Sequence, residues 1–346
     1  MRLADGHNCQ GDQMKKNCCE GLLNARCCIQ RCLVLLAATC ALPAFAAQSF
    51  PDRPIRIVVP YLAGGGVDTA ARIIGQPLGE LVGQSVVIDN RPGAATNIGS
   101  DMVAKAKPDG YTLLLANASQ VANVSLYSKM PYDLQRDLAS VILIGSAPLV
   151  MLVHPSLPVK TVKDVIALAK SKPDELNYAS AGIGSPTHIA PELFKWMADV
   201  RIAHIPYKGG SQAVVDLIAG RITLYFAASS TALPLVQSGK ARAMGVTGSQ
   251  RFAHLPKVPT IAESGLPGYE IGNWFALLAP AATPKDIIAK LNGSANAALK
   301  RLEVVERLNE FGVDVIGGST QALDTFIKKE IVTYEKIVRT ANIKPE

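Results

Sequence analysis

The residues best suited to chemistry in this sequence lie in short polar turns, each of which follows a predicted buried strand. The turns are rich in glycine, serine, threonine or asparagine and span residues 61–66, 117–120, 180–187, 207–211 and 227–231. Free N–H groups at the start of a helix, together with short hydroxyl side chains, favour binding of a small anion. Taken singly, each turn is more simply an ordinary helix cap. Five of them divided between two lobes favour a ligand site, and we predict a carboxylate ligand.

The elements that position these turns alternate along the chain, because continuous apolar runs typical of buried parallel strands are followed by amphipathic helical patterns. Strands are predicted at 55–60, 86–88, 111–116, 141–153, 176–179, 201–205, 222–226, 241–246, 270–279 and 313–316. Helices are predicted at 67–82, 96–106, 161–171, 211–219, 284–309 and 321–340. This alternation is typical of an α/β fold with mainly parallel sheets, whose ligand crevice lies at the carboxyl ends of the strands.

Two apolar strands, at 141–154 and 269–280, are long enough to pass from one lobe to the other. Two crossings imply a discontinuous first domain. We therefore expect residues 48–149 and 273–346 to form domain 1 and residues 150–272 to form domain 2.

The first 47 residues have the pattern of a cleaved signal peptide. Arg26 and Arg31 precede an apolar run at 32–42, and small residues at 44–47 predict cleavage after Ala46 or Ala47. Export of the mature chain is the expected outcome. All seven cysteines lie before the cleavage site, so the mature chain has no disulfide, thiolate metal site or cysteine nucleophile.

Composition and motifs exclude several classes of function. The chain is 49% hydrophobic and 18% charged, which is typical of a globular protein. Its net charge of +7 is scattered without a basic block, which argues against nucleic-acid binding. Residues 64–66 complete neither a dinucleotide-binding fingerprint nor a P-loop, and no histidine pair has metal-binding spacing. No cofactor and no metal are expected.

A second function class, an exported α/β hydrolase using Ser185 or Ser119 with His188, stays open at this point. The sequence lacks the G-x-S-x-G and S-x-x-K nucleophile motifs, so Ser185 is better interpreted as a helix cap. A sensory protein with the same lobes is a third reading, weakened because no signalling segment is attached.

Three further side chains have two readings each. Asp68 either ties down the glycine turn or contacts the ligand, and Lys208 is either a solvated loop charge or a cation that faces the carboxylate. Trp274 either fills the core at the second crossing strand or walls the cleft. Trp196 is expected in the core.

Several motifs, in order along the chain, resemble the Bug-type substrate-binding proteins of tripartite tricarboxylate transporters. They are Pro-Asp-Arg-Pro-Ile-Arg at 51–56, Val-Pro-Tyr at 59–61 with Gly-Gly-Gly-Val-Asp at 64–68, Asp-Asn-Arg-Pro-Gly-Ala at 89–94, Pro-Asp-Gly-Tyr-Thr-Leu at 108–113, Pro-Tyr-Lys-Gly at 206–209 and Val-Pro-Thr-Ile-Ala-Glu-Ser-Gly at 258–265. The similarity covers essentially the whole mature chain.

The resemblance implies a two-lobed periplasmic binding protein of the type II, Venus flytrap kind, in which two mainly parallel sheets are joined by two crossing strands. It implies capture of a di-/tricarboxylate or aromatic acid between the lobes, delivery to a membrane permease, no covalent chemistry and a monomeric state. Carried over to this sequence, the ligand-binding residues are Tyr61, Gly65, Gly66, Asp68, Asn117, Ser119, Gln120, Asn123, Ser180, Gly184, Ser185, Thr187, His188, Tyr207, Lys208, Ala227 and Ser229. Trp274 is added to them from its place on the second crossing strand.

The sequence departs from the family pattern at two places. Many relatives have an acidic residue after the strand that ends at Phe226, where this chain has Ala-Ala-Ser-Ser at 227–230. We therefore expect no recognition of an amino-acid ammonium group there. Pro191 is expected to break a helix that begins at Ser185, or to displace its start.

Overall fold

The computed structural model describes residues 50–344, in which strands and helices alternate as predicted. The strands are β1 (Ile55–Val59), β2 (Val86–Asn90), β3 (Thr112–Asn117), β4 (Leu138–Val153), β5 (Asn177–Ser180), β6 (Ala203–Pro206), β7 (Leu224–Ala228), β8 (Arg242–Val246), β9 (Gly272–Pro280) and β10 (Asp314–Val315). The α-helices are α1 (Gly66–Val82), α2 (Asn97–Ala104), α3 (Ala118–Leu126), α4 (Val162–Ser171), α5 (Pro186–Ala198), α6 (Gly210–Ile218), α7 (Ser229–Gln237), α8 (Lys285–Leu299), α9 (Leu302–Glu310) and α10 (Thr320–Thr340).

The ten strands form a mixed sheet in the order β2-β1-β3-β9-β4-β7-β5-β6, with β8 and β10 also paired to β4. The pairs β1–β2, β1–β3, β5–β6 and β5–β7 are parallel, whereas β9 is antiparallel to β3 and β4. The parallel pairs at the two ends of the order belong to the two lobes, and they flank an antiparallel centre.

Strand β4 is the main connection between the lobes. Residues 138–148 pair with β9, residues 149–153 pair with β7, and residues 150–153 also pair with β8. Strand β9 pairs with β3 and β4, and the chain enters it through Ile271, whose N–H donates to the Thr247 carbonyl 3.0 Å away. Strand β4 therefore belongs to the ladders of both halves of the sheet, and the chain passes from the end of the second half into the first just before β9.

Apolar faces of the helices cover both sides of the sheet. Helix α10 buries Leu323, Ile327, Tyr334, Ile337 and Val338, as its helical spacing predicts. This stripe belongs to a core that continues across both lobes, and a second core lies beneath α1, α8 and α9. Within residues 50–344, no helix is both long and apolar enough to cross a membrane.

The expected helix at 284–309 is two helices. Helix α8 ends at Leu299, and the extended backbone of Arg301 (φ −69°, ψ 130°) separates it from α9. The break lets α9 turn its own apolar residues, Val304 and Leu308, onto the core beneath α1.

The expected effect of Pro191 was wrong, because α5 begins at Pro186 and runs through Pro191 without a break. Proline removes one helical hydrogen bond, but burial of Ile189, Leu193 and Phe194 on the same helix favours continuing it. Trp196, expected in the core, lies on the outer face of α5 and is 51% exposed.

Candidate functional site

A cavity of about 1050 Å³ lies between the turns at the strand ends of the two lobes. One wall comes from the loops that follow β1 and β2 and from the start of α3. The opposite wall comes from the loops that follow β5 and β6. The lining residues are Pro60, Tyr61, Leu62, Pro92, Gly93, Ala94, Ala95, Thr96, Asn97, Ile98, Asp101, Ser119, Tyr127, Lys129, Pro131, Ala181, Gly182, Ile183, Ser185, Pro206, Tyr207 and Lys208.

Tyr61 and Ser119 form the polar centre of the first wall. Their hydroxyl oxygens lie 2.5 Å apart, and the Tyr61 hydroxyl also donates to Asn117 Oδ1 at 3.2 Å. Asn117 is placed by the capping box of α3, in which its side chain accepts from the Ser119 N–H and Gln120 Oε1 accepts from the Asn117 N–H. Burial raises the pKa of Tyr61, so its hydroxyl stays protonated and able to donate.

The glycine turn after β1 is fixed by Asp68, which lies outside the cavity lining. The buried carboxylate accepts from the Gly64 N–H at 3.0 Å, from Arg72 Nε at 2.9 Å and from Asn90 Nδ2 at 3.0 Å. Burial opposes ionisation of this carboxyl, but these hydrogen bonds hold the pKa of Asp68 below its ordinary value. Asp68 therefore has the first of the two roles considered for it, because its carboxylate holds the glycine turn in place.

The turn after β2 was not predicted to lie at the cavity, although this turn supplies more of the lining than any other segment. Ala94, Ala95 and Thr96 have consecutive positive φ angles of 45°, 51° and 77°. Residues other than glycine rarely adopt this backbone conformation. The one available signal was Gly93 in the Asp-Asn-Arg-Pro-Gly-Ala motif. Asp101, Tyr127, Lys129 and Pro131, at the edge of the cavity, were also missed.

In the second lobe, the loop between β5 and α5 is held by its own hydroxyl groups. Ser185 Oγ donates to the Gly182 carbonyl at 2.6 Å and lies 2.8 Å from Thr187 Oγ1, which accepts from the Ala181 N–H at 2.7 Å. Ser180 Oγ lies 2.7 Å from His204 Nε2. Ser185 lines the cavity, whereas Ser180 and Thr187 stabilise the loop from behind.

His188 lies beneath the same loop and stacks on His204, with ring centroids 4.4 Å apart. Its Nδ1 accepts from the Gly184 N–H at 3.3 Å. Burial, with His204 and Lys195 as further contributors, lowers the pKa of His188 to about 3. The imidazole is therefore neutral at ordinary pH and acts as an acceptor for the loop.

No serine–histidine pair of a hydrolase is formed at the residues considered for one. The Ser185 hydroxyl is bonded to Gly182 and Thr187, that of Ser119 lies against Tyr61, and His188 Nδ1 accepts from a backbone N–H. A nucleophile must lie within hydrogen-bond reach of its base, and neither serine has His188 as a hydrogen-bond partner.

The loop after β6 brings Tyr207 and Lys208 to the cavity. The Tyr207 hydroxyl donates to Asp216 Oδ2 at 2.6 Å, and burial together with this carboxylate raises the pKa of Tyr207 to about 12. Lys208 is exposed at the cavity. An ideal Cβ on the adjacent Gly209 lies 3.8 Å from Leu62 of the first lobe, so the two loops meet here.

Ala227, Ser229 and Trp274 lie away from the cavity lining. Ser229 Oγ donates to the Gly312 carbonyl at 3.0 Å, which ties α7 to the first lobe. The Trp274 ring is buried edge-on against Phe326, and its Nε1 donates to Glu330 at 3.0 Å. Of its two readings, the structure places Trp274 in the core.

The structure therefore divides the predicted site residues into two groups. Those that line the cavity are Tyr61, Ser119, Ser185, Tyr207 and Lys208. Those outside the lining are Gly65, Gly66, Asp68, Asn117, Gln120, Asn123, Ser180, Gly184, Thr187, His188, Ala227, Ser229 and Trp274. Across residues 50–344, no group of three histidine, cysteine or acidic side chains is arranged to hold a metal ion.

Comparison with solved structures shows the class of protein to which this fold and cavity belong. The structure of R. palustris Rpa4515 with adipate is 40% identical in sequence, with a TM-score of 0.83 over 86% of this chain and 100% of that one. The periplasmic binding protein BugD is 31% identical, with a TM-score of 0.81 over 86% of this chain and 100% of that one. The chain has the two-lobed fold of a periplasmic substrate-binding protein and is not an enzyme.

The family is shown by the sequence. Residues 70–343 match the model of the tripartite tricarboxylate transporter family receptor, so the chain belongs to that family. Protein BugT of Bordetella pertussis is 37% identical over 301 residues, which cover 86% of this chain and 92% of BugT. The predicted resemblance to Bug-type proteins is confirmed.

Proposed function

We propose that the protein captures a small organic carboxylate in the cavity between its lobes and delivers it to the permease of a tripartite tricarboxylate transporter. The observation that carries this proposal is the convergence of polar groups from both lobes on one cavity. Tyr61 and Ser119 face it from the first lobe, and Ser185, Tyr207 and Lys208 face it from the second. Family membership and the adipate bound to Rpa4515 support the same ligand class.

The cavity favours a carboxylate over an amino acid. Its lining includes two lysines, Lys129 and Lys208, and a single carboxylate, Asp101, which already pairs with Lys105 at 2.7 Å. The segment at 227–230, which follows Phe226, is Ala-Ala-Ser-Ser and supplies no carboxylate. An ammonium group therefore finds no free carboxylate among the lining residues, whereas a second carboxylate finds a lysine.

Binding is coupled to closure of the lobes about the two places where the chain crosses between them. We propose that one moving body consists of residues 48–149 and 273–346 and that the other consists of residues 150–272. A ligand held by turns from both lobes stabilises the closed arrangement, because it has partners on each side only when the lobes are together.

A thermal-shift screen of the purified mature chain tests the proposal. We expect adipate, malate, citrate or benzoate to raise the melting temperature in a concentration-dependent way, while aspartate and glutamate do not. An ester-hydrolysis assay on the same sample is expected to give no turnover. The proposal is wrong if no acid in the panel stabilises the protein, if aspartate or glutamate alone does so, or if the ester is hydrolysed at a rate that depends on Ser185.

Export is a separate part of the proposal, because residues 1–49 lie outside the described residues. We propose cleavage after Ala46 or Ala47 and a monomeric periplasmic protein. N-terminal sequencing of the protein from the periplasmic fraction tests the cleavage site, and light scattering tests the monomer. An intact leader, or a stable dimer, contradicts the corresponding part.

A further inference from the structure

The left-handed turn that walls the cavity is a conformation that its own residues disfavour. Ala94, Ala95 and Thr96 carry a Cβ, and each occupies the positive-φ region that is open chiefly to glycine. Such a backbone persists only where the surrounding structure holds it. All three residues line the cavity, so the shape of this wall depends on whatever holds the turn.

Two buried amides on α3 hold it. Asn123 Nδ2 donates to the Ala95 carbonyl at 2.5 Å and also lies within reach of Asn97 Oδ1 at 3.2 Å and Thr96 Oγ1 at 3.3 Å. Gln120 Nε2 donates to the same Thr96 hydroxyl at 3.2 Å. The turn is therefore bonded through its backbone and through a side chain to one face of a single helix.

That helix is itself fixed. Gln120 Oε1 accepts from the Asn117 N–H at 2.8 Å, so one side chain closes the capping box of α3 with its oxygen and holds the turn with its nitrogen. Gln120 and Asn123 are fully buried. Neither lines the cavity, so they act on it through the turn.

We propose that Gln120 and Asn123 are positioning residues, whose amide donors hold the Ala94–Ala95–Thr96 turn in its left-handed conformation and thereby set one wall of the ligand cavity. The expected effect of these two residues on ligand binding rests on the proposed function. Their expected effect on the turn rests on the hydrogen bonds alone. Both residues were predicted to be among the ligand-binding residues. Their location gives them this different role.

The test uses Asn123→Ala, which removes the donor to Ala95. Asn296→Ala is the matched control, because Asn296 lies on α8 and its Nδ2 donates to the Gly318 carbonyl at 2.9 Å, outside the residues that line the cavity. With adipate as the probe, calorimetry on the mature chain is expected to show affinity about tenfold weaker for Asn123→Ala and within about twofold of the parent for Asn296→Ala.

A rescue variant separates positioning from a general loss of structure. Glycine adopts positive φ without the penalty that alanine has, so Asn123→Ala combined with Ala95→Gly needs less support for the turn. We expect the double variant to recover adipate affinity to within about threefold of the parent, although its melting temperature stays low. Unchanged affinity in Asn123→Ala, or no recovery in the double variant, overturns the positioning role.

Hydrogen exchange decides the same question without a ligand. The Asn97 N–H donates to the Ala94 carbonyl, and the Ile98 N–H lies 3.5 Å from the Gly93 carbonyl. We expect both amides to exchange faster in Asn123→Ala than in Asn296→Ala at matched global stability. If adipate does not bind the parent protein, the proposed function fails for that acid, and the exchange rates still confirm or overturn the hold on the turn.

Discussion

Asn123 Oδ1 lies 2.6 Å from the position that a Cβ on Gly184 would occupy. The first residue belongs to α3 of the first lobe and the second to the loop between β5 and α5 of the second, so this contact joins the two walls of the cavity. Gly184 also has a φ of +74°, which glycine adopts without strain. Glycine at position 184 is therefore favoured twice, by the positive φ angle of the backbone and by the lack of space for a Cβ beside Asn123.

Replacing Gly184 with alanine tests the contact. The positive φ alone costs about 1–2 kcal/mol of unfolding free energy for a residue with a Cβ, and the clash with Asn123 adds about 1–3 kcal/mol or holds the lobes apart. Gly239→Ala is the matched control, because Gly239 has a φ of +68° and nothing within 4 Å of its Cβ position. Urea unfolding is expected to show a larger loss for Gly184→Ala, and adipate binding is expected to weaken only in that variant. Equal losses in both variants contradict the packing argument.

Removal of the Tyr61 hydroxyl is expected to affect both binding and stability. Tyr61→Phe removes the hydroxyl that Ser119 Oγ contacts and one of the two donors to Asn117 Oδ1, which keeps only the Ser119 N–H, and the loss costs about 1–2 kcal/mol. Tyr334→Phe serves as the control, since its buried hydroxyl donates to the Gly272 carbonyl at 3.1 Å and it does not line the cavity. We expect similar losses in melting temperature, but an affinity loss of about tenfold for Tyr61→Phe only. An equal affinity loss in Tyr334→Phe would show that lower stability, and not the loss of a hydroxyl at the cavity, causes the weaker binding.

Lys208 is expected to contribute through its charge. Because it is exposed at the cavity, Lys208→Met is expected to weaken dicarboxylate binding by only about threefold to tenfold, with a smaller effect at high ionic strength. Lys240→Met is the control, since Lys240 is exposed and not part of the lining. Titration at two salt concentrations measures both. An effect that does not change with salt argues for a packing role of the lysine stem.

His188 makes stability depend on pH. Its pKa falls from 6.5 in the unfolded chain to about 3 in the folded one, so between these values the unfolded state binds a proton that the folded state does not. Stability therefore decreases as the pH falls through this range, by about 2 kcal/mol between pH 6.5 and 5.

His188→Gln removes the titrating group and keeps an acceptor for the Gly184 N–H. Urea unfolding across pH 5–7 is expected to give a flatter profile for this variant than for the parent. Identical slopes would mean that His188 does not account for the loss.

Much of the fold could be predicted because it depends on local patterns. The apolar run at 55–60 predicted β1, and the helical patterns at 161–171 and 321–340 predicted α4 and α10. The start of α8 was predicted at residue 284 and lies one residue later, at Lys285. The position of a helix start within one turn depends on tertiary contacts that the sequence pattern does not contain.

The lining of the cavity was predicted less completely, for a physical reason. Strand ends and glycine turns carry a sequence signal, and Tyr61, Ser119 and Ser185, which were predicted from that signal, line the cavity. Ala94 and Ala95 carry none, because alanine disfavours positive φ and the conformation is imposed by side chains on another helix. Gln120 and Asn123 were noticed for their polarity, but their orientation, away from the cavity and towards the turn, is set by tertiary packing.

The continuity of β4 has a mechanical consequence. Of its sixteen residues, the first part pairs with strand β9 and the last part pairs with strand β7, in the two different lobes. Neither lobe can therefore unfold its sheet without disturbing the strand that it shares with the other. Heating should therefore unfold the molecule in one cooperative step rather than two. A destabilising substitution at one end of β4 should lower the stability of both lobes.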